Sequence, residues 1–138
     1  MKTGLMAGGI ALLATLGLSF AAFAGPALDS DGDGVYDVLD NCVNVPNAYP
    51  SDCDTDHDGY GNICDGDFNQ DYFTDGTDFL IFNTDFTTTG MDGGTGTDMN
   101  CDTYTDGTDF LLFNQQFTTS GSPGPSGLYC AGTVPCDL

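Results

Sequence analysis

Residues 67–88 read DFNQDYFTDGTDFLIFNTDFTT, and residues 98–119 repeat them as DMNCDTYTDGTDFLLFNQQFTT. Fifteen of the 22 paired positions are identical at an offset of 31, so the unit is duplicated. Within each copy the pattern changes midway. The first twelve residues place Asp or Asn at alternate positions, whereas the remainder places Phe at i, i+3 and i+7: Phe79, Phe82 and Phe86, then Phe110, Phe113 and Phe117. Alternate oxygen ligands around a tight turn suit a hard cation, and the Phe spacing is that of one helix face. Each copy is therefore expected to be a cation loop leading into a short amphipathic helix. Leu80, Ile81, Leu111 and Leu112 widen the apolar face, and two such helices packed together would bury all six Phe as the main core. A groove for an aromatic ligand is the alternative use of the same rings.

Calcium takes side-chain oxygens from positions 1, 3, 5, 9 and 12 of such a loop and a backbone carbonyl from position 7. Four segments fit. DSDGDGVYDVLD offers Asp29, Asp31, Asp33, the Val35 carbonyl, Asp37 and Asp40. DTDHDGYGNICD offers Asp54, Asp56, Asp58, the Tyr60 carbonyl, Asn62 and Asp65. The duplicated unit supplies Asp67, Asn69, Asp71, the Phe73 carbonyl, Asp75 and Asp78, then Asp98, Asn100, Asp102, the Tyr104 carbonyl, Asp106 and Asp109. A solvated acidic run would match all five side-chain positions in roughly one start per thousand, about 0.1 times in the chain. The reading is therefore about four calcium ions, with magnesium disfavoured by its smaller, stricter octahedron. His57 sits at the variable position 4 and reads as a bystander. Position 6 normally turns through positive φ, which Gly34 and Gly59 adopt freely; Tyr72 and Thr103 stand there in the later loops, so those two sites are expected to be weaker.

Charge supports the same conclusion from a different direction. The 138 residues hold 21 acidic side chains, all of them Asp, against a single Lys2. Residues 1–24 show a short basic start, an apolar stretch and an Ala-x-Ala end at Ala22 to Ala24, the pattern of a secretory signal peptide. Its removal would take Lys2 with it and leave no Lys or Arg. Such a chain repels itself unless a cation intervenes, cannot grip nucleic-acid phosphates, and is not drawn to an anionic membrane; no membrane insertion is expected after cleavage. Seventeen of the Asp residues fall inside the four loops, leaving Asp52, Asp85, Asp92 and Asp137 outside. An enzyme is not expected: the lone His57 lacks a legible triad, the acids belong to the loops, and no Lys or Arg stands ready for an anionic transition state.

Two family resemblances rest on these residues. Residues 29–65, with Asp-Asn-Cys ending at Cys42, Pro46-Asn47 and the closing Cys64-Asp65, resemble a pair of thrombospondin type 3 repeats. That resemblance implies a chain wrapped around calcium with little apolar core, disulfides between neighbouring repeats, and a Cys42–Cys64 bridge. Residues 67–117 resemble a dockerin, a pair of calcium loop and helix units that docks onto cohesin modules, departing from it at Tyr72 and Thr103. The expected fold is thus mostly irregular calcium-wrapped loops with a small all-α part.

The chain divides accordingly into a signal peptide (1–24), thrombospondin type 3-like repeats (25–66), a dockerin-like duplicated domain (67–119) and an irregular tail (120–138) pinned by Cys130 and Cys136. Six Cys in an exported chain allow fifteen pairings. Beyond the bridge implied by resemblance, proximity pairs Cys130 with Cys136, which leaves Cys53 with Cys101 by elimination. Zinc is disfavoured because no CxxC pair occurs. The expected function is that of a secreted, calcium-binding structural or adhesive protein of an extracellular matrix, surface layer or filament, capable of self-association. The alternative is a docking adaptor for a cohesin-like partner.

Overall fold

The computed structural model describes residues 26–88, 90–117 and 123–136; the segment read as a signal peptide lies outside them. Two helices stand out, α1 (Gly76–Thr88) and α2 (Gly107–Phe117), and two three-residue 3₁₀ turns, Asp37–Leu39 and Asn62–Cys64, close the first two loops. No strand occurs among the described residues.

Each helix starts on a reciprocal cap. The Asp75 carboxylate accepts the Thr77 amide at 2.7 Å while the Asp78 carboxylate accepts the Asp75 amide at 2.8 Å. Asp106, Thr108 and Asp109 repeat the arrangement at 2.7 and 2.8 Å. Amides that a helix leaves unpaired at its first turn are thereby satisfied, and both carboxylates lie at the favourable end of the helix dipole. At the far end of α1, Gly90 turns to φ 61° and returns its amide to the Asp85 carbonyl at 2.8 Å. That left-handed turn stops the helix.

The core is smaller than the Phe spacing predicts. Phe82 and Phe113 are buried and stacked, with centroids 5.6 Å apart, but Phe79, Phe86, Phe110 and Phe117 remain 41–44% exposed. The other two members of the buried cluster are Phe68 and Met99, with Ile81 and Leu112 packed partly against it. Leu80 and Leu111 face solvent. The reason is geometric. Two short helices meet in one central layer, and Phe68 and Met99, at position 2 of their loops, fill the space that the outer Phe pairs would need. Burial of all six Phe is therefore corrected to two.

Residues 26–66 contain no buried large apolar side chain among those described; Cys42 and Cys64 are their only buried hydrophobic groups. The three disulfides are Cys42–Cys64, Cys53–Cys101 and Cys130–Cys136. Cys53–Cys101 joins the second loop's entrance to the fourth loop. The same junction carries Asn62 Nδ2 to the Asp98 carbonyl (2.8 Å), Gln70 Nε2 to Asp56 (3.1 Å) and Gln116 Nε2 to the Ile63 carbonyl (2.7 Å). Polar bonds and cross-links thus do in this part what apolar packing does between the helices.

Candidate metal centres

All four loops share one set of turns, written by their Asp and Asn side chains. The position 1 carboxylate accepts the position 6 amide: Asp29 from Gly34 (3.1 Å), Asp54 from Gly59 (2.8 Å), Asp67 from Tyr72, and Asp98 from Thr103 (2.7 Å). The position 5 carboxylate accepts the position 7 amide, Asp33 from Val35, Asp58 from Tyr60, Asp71 from Phe73 and Asp102 from Tyr104, at 2.8–3.0 Å. Such side-chain to backbone bonds let Asp and Asn impose turns where other residues would not. They curl each loop, and in the first two the alternate carboxylates converge. Oxygens of Asp29, Asp31 and Asp33 all lie within 4.8 Å of one another, as do those of Asp54, Asp56 and Asp58.

The backbone meets the steric demand of this curl at two positions. Position 6 has positive φ throughout: Gly34 96°, Gly59 90°, Tyr72 70° and Thr103 81°. Position 4 does too, at Gly32 (81°), His57 (60°), Gln70 (61°) and Cys101 (62°). Sequence reasoning finds the first requirement and misses the second, because it treats position 4 as variable. The glycine at position 32 was the available signal.

Position 12 lies beneath each loop and is buried: Asp40, Asp65, Asp78 and Asp109 are each 5% exposed or less. Asp78 accepts the Asn69 amide (3.2 Å) and Asp109 the Asn100 amide (3.1 Å), so position 12 lies against position 3 in both duplicated loops. Asp40 accepts the Cys42 amide and Asp65 the Asp67 amide, both at 2.8 Å.

Position 9 divides the loops into two classes. Asp75 and Asp106 cap the helices, as described above. Asp37 instead takes the amide and hydroxyl of Ser30 (2.7 and 2.8 Å), and the Asn62 side-chain oxygen takes the Thr55 amide (2.9 Å), bracing position 9 on position 2.

Electrostatics follow from burial without counter-charge. Desolvation is the leading cause that raises the carboxyl groups of Asp40, Asp56, Asp65, Asp67, Asp78, Asp98 and Asp109 above the ordinary range, and it pushes Asp58 up to about 6. Neighbouring Asp residues add to each shift. Asp33 moves the other way, held down by the amides of Val35 and Asn47. The Asn47 bond, at 2.9 Å, brings a buried residue outside the loop into the first site.

Calcium fits these residues. Every donor at the named positions is an oxygen. Asp31 Oδ2 and Asp40 Oδ2 are buried with no hydrogen-bond partner, and Asp40 is 2% exposed. A buried carboxylate oxygen left unpaired is costly, and with Lys2 the one Lys or Arg of the sequence, no Lys or Arg within the loops can relieve it. A divalent cation bound there would supply the missing charge.

Residues 27–49 match the thrombospondin type 3 repeat. The match spans the first loop, the Asp-Asn-Cys segment and Pro46-Asn47, and ends before the second loop. No curated protein and no solved structure matches the chain significantly. The repeat suggests a calcium-binding protein of extracellular type, and the acidic clusters and three disulfides are compatible with one.

Two Asp residues outside the loop pattern have structural work. Asp85 accepts from the Gly93 amide (3.1 Å) and the hydroxyls of Thr95 (3.2 Å) and Thr97 (2.8 Å), and Thr97 meets Thr105 at 3.1 Å. Asp92 Oδ1 takes the amides of Gly94 and Thr95. The Gly- and Thr-rich spacer is thus pinned to the end of α1.

Proposed function

We propose that this protein is an exported structural module that is rigid only when its loops hold about four calcium ions, and that it works by binding rather than catalysis. The observation that carries the reading is the buried, unpartnered Asp40 oxygen beside the converged carboxylates of the first loop. The ligand sets are those named above for the loops starting at Asp29, Asp54, Asp67 and Asp98. Rigidity gained from ions and disulfides rather than from a large core suits a spacer or surface component outside the cell, where calcium is abundant and thiols stay oxidised.

A second reading has an observation of its own. The outer rings Phe79, Phe86 and Phe110 line a cavity of about 280 Å³ with Phe82, Asn83 and Gly107, and Leu80 and Leu111 extend the exposed apolar surface. That face supports docking of a cohesin-like protein onto the helix pair. Native mass spectrometry of the purified, signal-free chain, with and without calcium, tests both. The structural reading expects about four bound calcium ions and calcium-dependent self-association. A protein that binds no calcium refutes the common basis of the two, and a calcium-loaded monomer that assembles only with an added partner selects docking.

A further inference from the structure

Residues 123–136 lie across the first two loops and hold them by the backbone. The Gly127 amide donates to the Asp40 carbonyl (2.9 Å), Gly132 to Asp58 (2.7 Å), Cys136 to His57 (2.7 Å) and Gly124 to Cys64 (3.0 Å), while Val43 donates to the Pro125 carbonyl (3.0 Å). Asp40 and Asp58 are themselves candidate ligands, and His57 carries one of the left-handed turns that close its loop. Approach is close from both sides. A Cβ on Gly127 would overlap the Asp37 carbonyl oxygen, and one on Gly59 would stand 2.5 Å from Cys136 Sγ and 2.9 Å from the Ala131 backbone. Leu128 and Cys136 are buried against this surface.

We infer that this strap is a positioning element of the first two cation loops: its amides fix the carbonyls of Asp40, His57 and Asp58, so that strap docking and cation binding at these loops form one coupled equilibrium. The inference rests on the calcium reading above. Its physical basis is the absence of an apolar core in residues 26–66. Converged carboxylates repel one another when no cation is bound, and the strap's backbone bonds oppose the opening that repulsion favours. Loops three and four have helices and the Phe cluster for that purpose. Coupling between two binding events is reciprocal, so calcium must tighten the strap by the factor by which the strap tightens calcium.

The test uses the full signal-free chain and calcium alone as the probe, followed by nuclear magnetic resonance at the amides of Val35 and Tyr60 for the first two loops and of Phe73 and Tyr104 for the others. Gly127→Ala must lift the strap. With about two ordinary backbone hydrogen bonds lost, affinity at Val35 and Tyr60 should fall about tenfold or more, and that at Phe73 and Tyr104 should hold. Tyr129→Ala, on the same strap but 93% exposed, should change neither. In the unaltered chain, hydrogen exchange at Gly124, Gly127, Gly132 and Cys136 should slow on adding calcium. Unchanged affinity at the first two loops of Gly127→Ala, equal loss at all four, or strap amides indifferent to calcium while Val35 and Tyr60 respond would each overturn the coupling. If Gly127→Ala does not fold, the exchange measurement decides alone. Silence at Val35 and Tyr60 in the unaltered chain would instead refute calcium binding there, a separate failure.

Discussion

Backbone strain at loop positions 4 and 6 should rank the cation sites. Glycine occupies both positions in the first loop, one in the second, and neither in the third or fourth, yet φ is positive at all eight. Thr103 is the clearest case: it is β-branched, exposed, and held at φ 81°, while its amide bond to Asp98 would survive any side-chain change. A left-handed non-Gly residue costs about 1–2 kcal/mol, and the extra freedom of Gly in the open loop takes back about 0.5–1 kcal/mol. Thr103→Gly should therefore tighten the fourth site by about 0.5–1 kcal/mol, roughly twofold to fivefold. Thr103→Asn should tighten it comparably, since Asn tolerates this conformation without the entropy of Gly. Gly34→Ala is the reverse experiment, because φ is 96° and an added Cβ would meet nothing within 4 Å, so only the backbone responds. It should weaken the first site. Site-resolved calcium titration measures all three. Thr103 variants that bind no tighter, together with a Gly34→Ala loop that binds no weaker, would show that these turns carry no strain and that ligand arrangement alone ranks the sites.

Burial and charge set the other expected outcomes. Phe82→Ala or Phe113→Ala should cost about 3–5 kcal/mol in thermal melts of the calcium-loaded protein, whereas Phe86→Ala, at a half-exposed ring, should cost well under half of that. Without calcium, the raised carboxyl groups make the folded state hold protons more tightly than the unfolded chain, whose Asp titrates near 3.9. Their contribution is thus complete below about pH 4 and is lost as pH rises through the Asp58 value of about 6. Metal-free melting temperature should fall over that window and the calcium-loaded value should rise; a metal-free protein that becomes more stable with pH contradicts the sign. Chelation with the disulfides reduced should expose residues 29–65 to protease before the helical circular dichroism of residues 76–117 is lost, and simultaneous loss would show that the two parts unfold as one.

The turn pattern of the four loops was legible because it is local. Asp at alternate positions both bends the backbone onto itself and presents the oxygens, so one spacing encodes turn and site together. Helix positions were legible for the same reason, with the Phe spacing and the Asp75 and Asp106 caps adjoining in sequence. What depends on the docking of distant segments was not. Ser30 and Thr55 stand at position 2 of the first loops and Phe68 and Met99 at position 2 of the later ones, and that contrast was the available sign that only the later loops face a core. The strap left no comparable sign. Its hydrogen bonds are made by backbone, and the demand for Gly127 comes from the Asp37 carbonyl, ninety residues away in sequence.

One twelve-residue loop is therefore closed in two ways, and the residues on its C-terminal side make the choice. After Asp75 and Asp106 comes a stripe with apolar surface to bury, and the position 9 carboxylate caps a helix. After Asp37 and Asn62 there is no stripe, the chain makes a single 3₁₀ turn, and position 9 braces Ser30 or Thr55 instead. Closure then has to come from outside, through disulfides, the strap and the ion. The net charge of −20 bears on what the assembled molecule can meet, because four divalent cations would offset less than half of it. Two copies approaching each other repel at low ionic strength, so self-association through the exposed Phe and Leu surface should strengthen as salt screens that repulsion. A basic partner docking on the same surface should weaken with salt. Sedimentation over a salt series at saturating calcium tests the structural reading: self-association that declines as salt rises would contradict it, because the bare charge of the chain gives it no attraction to lose.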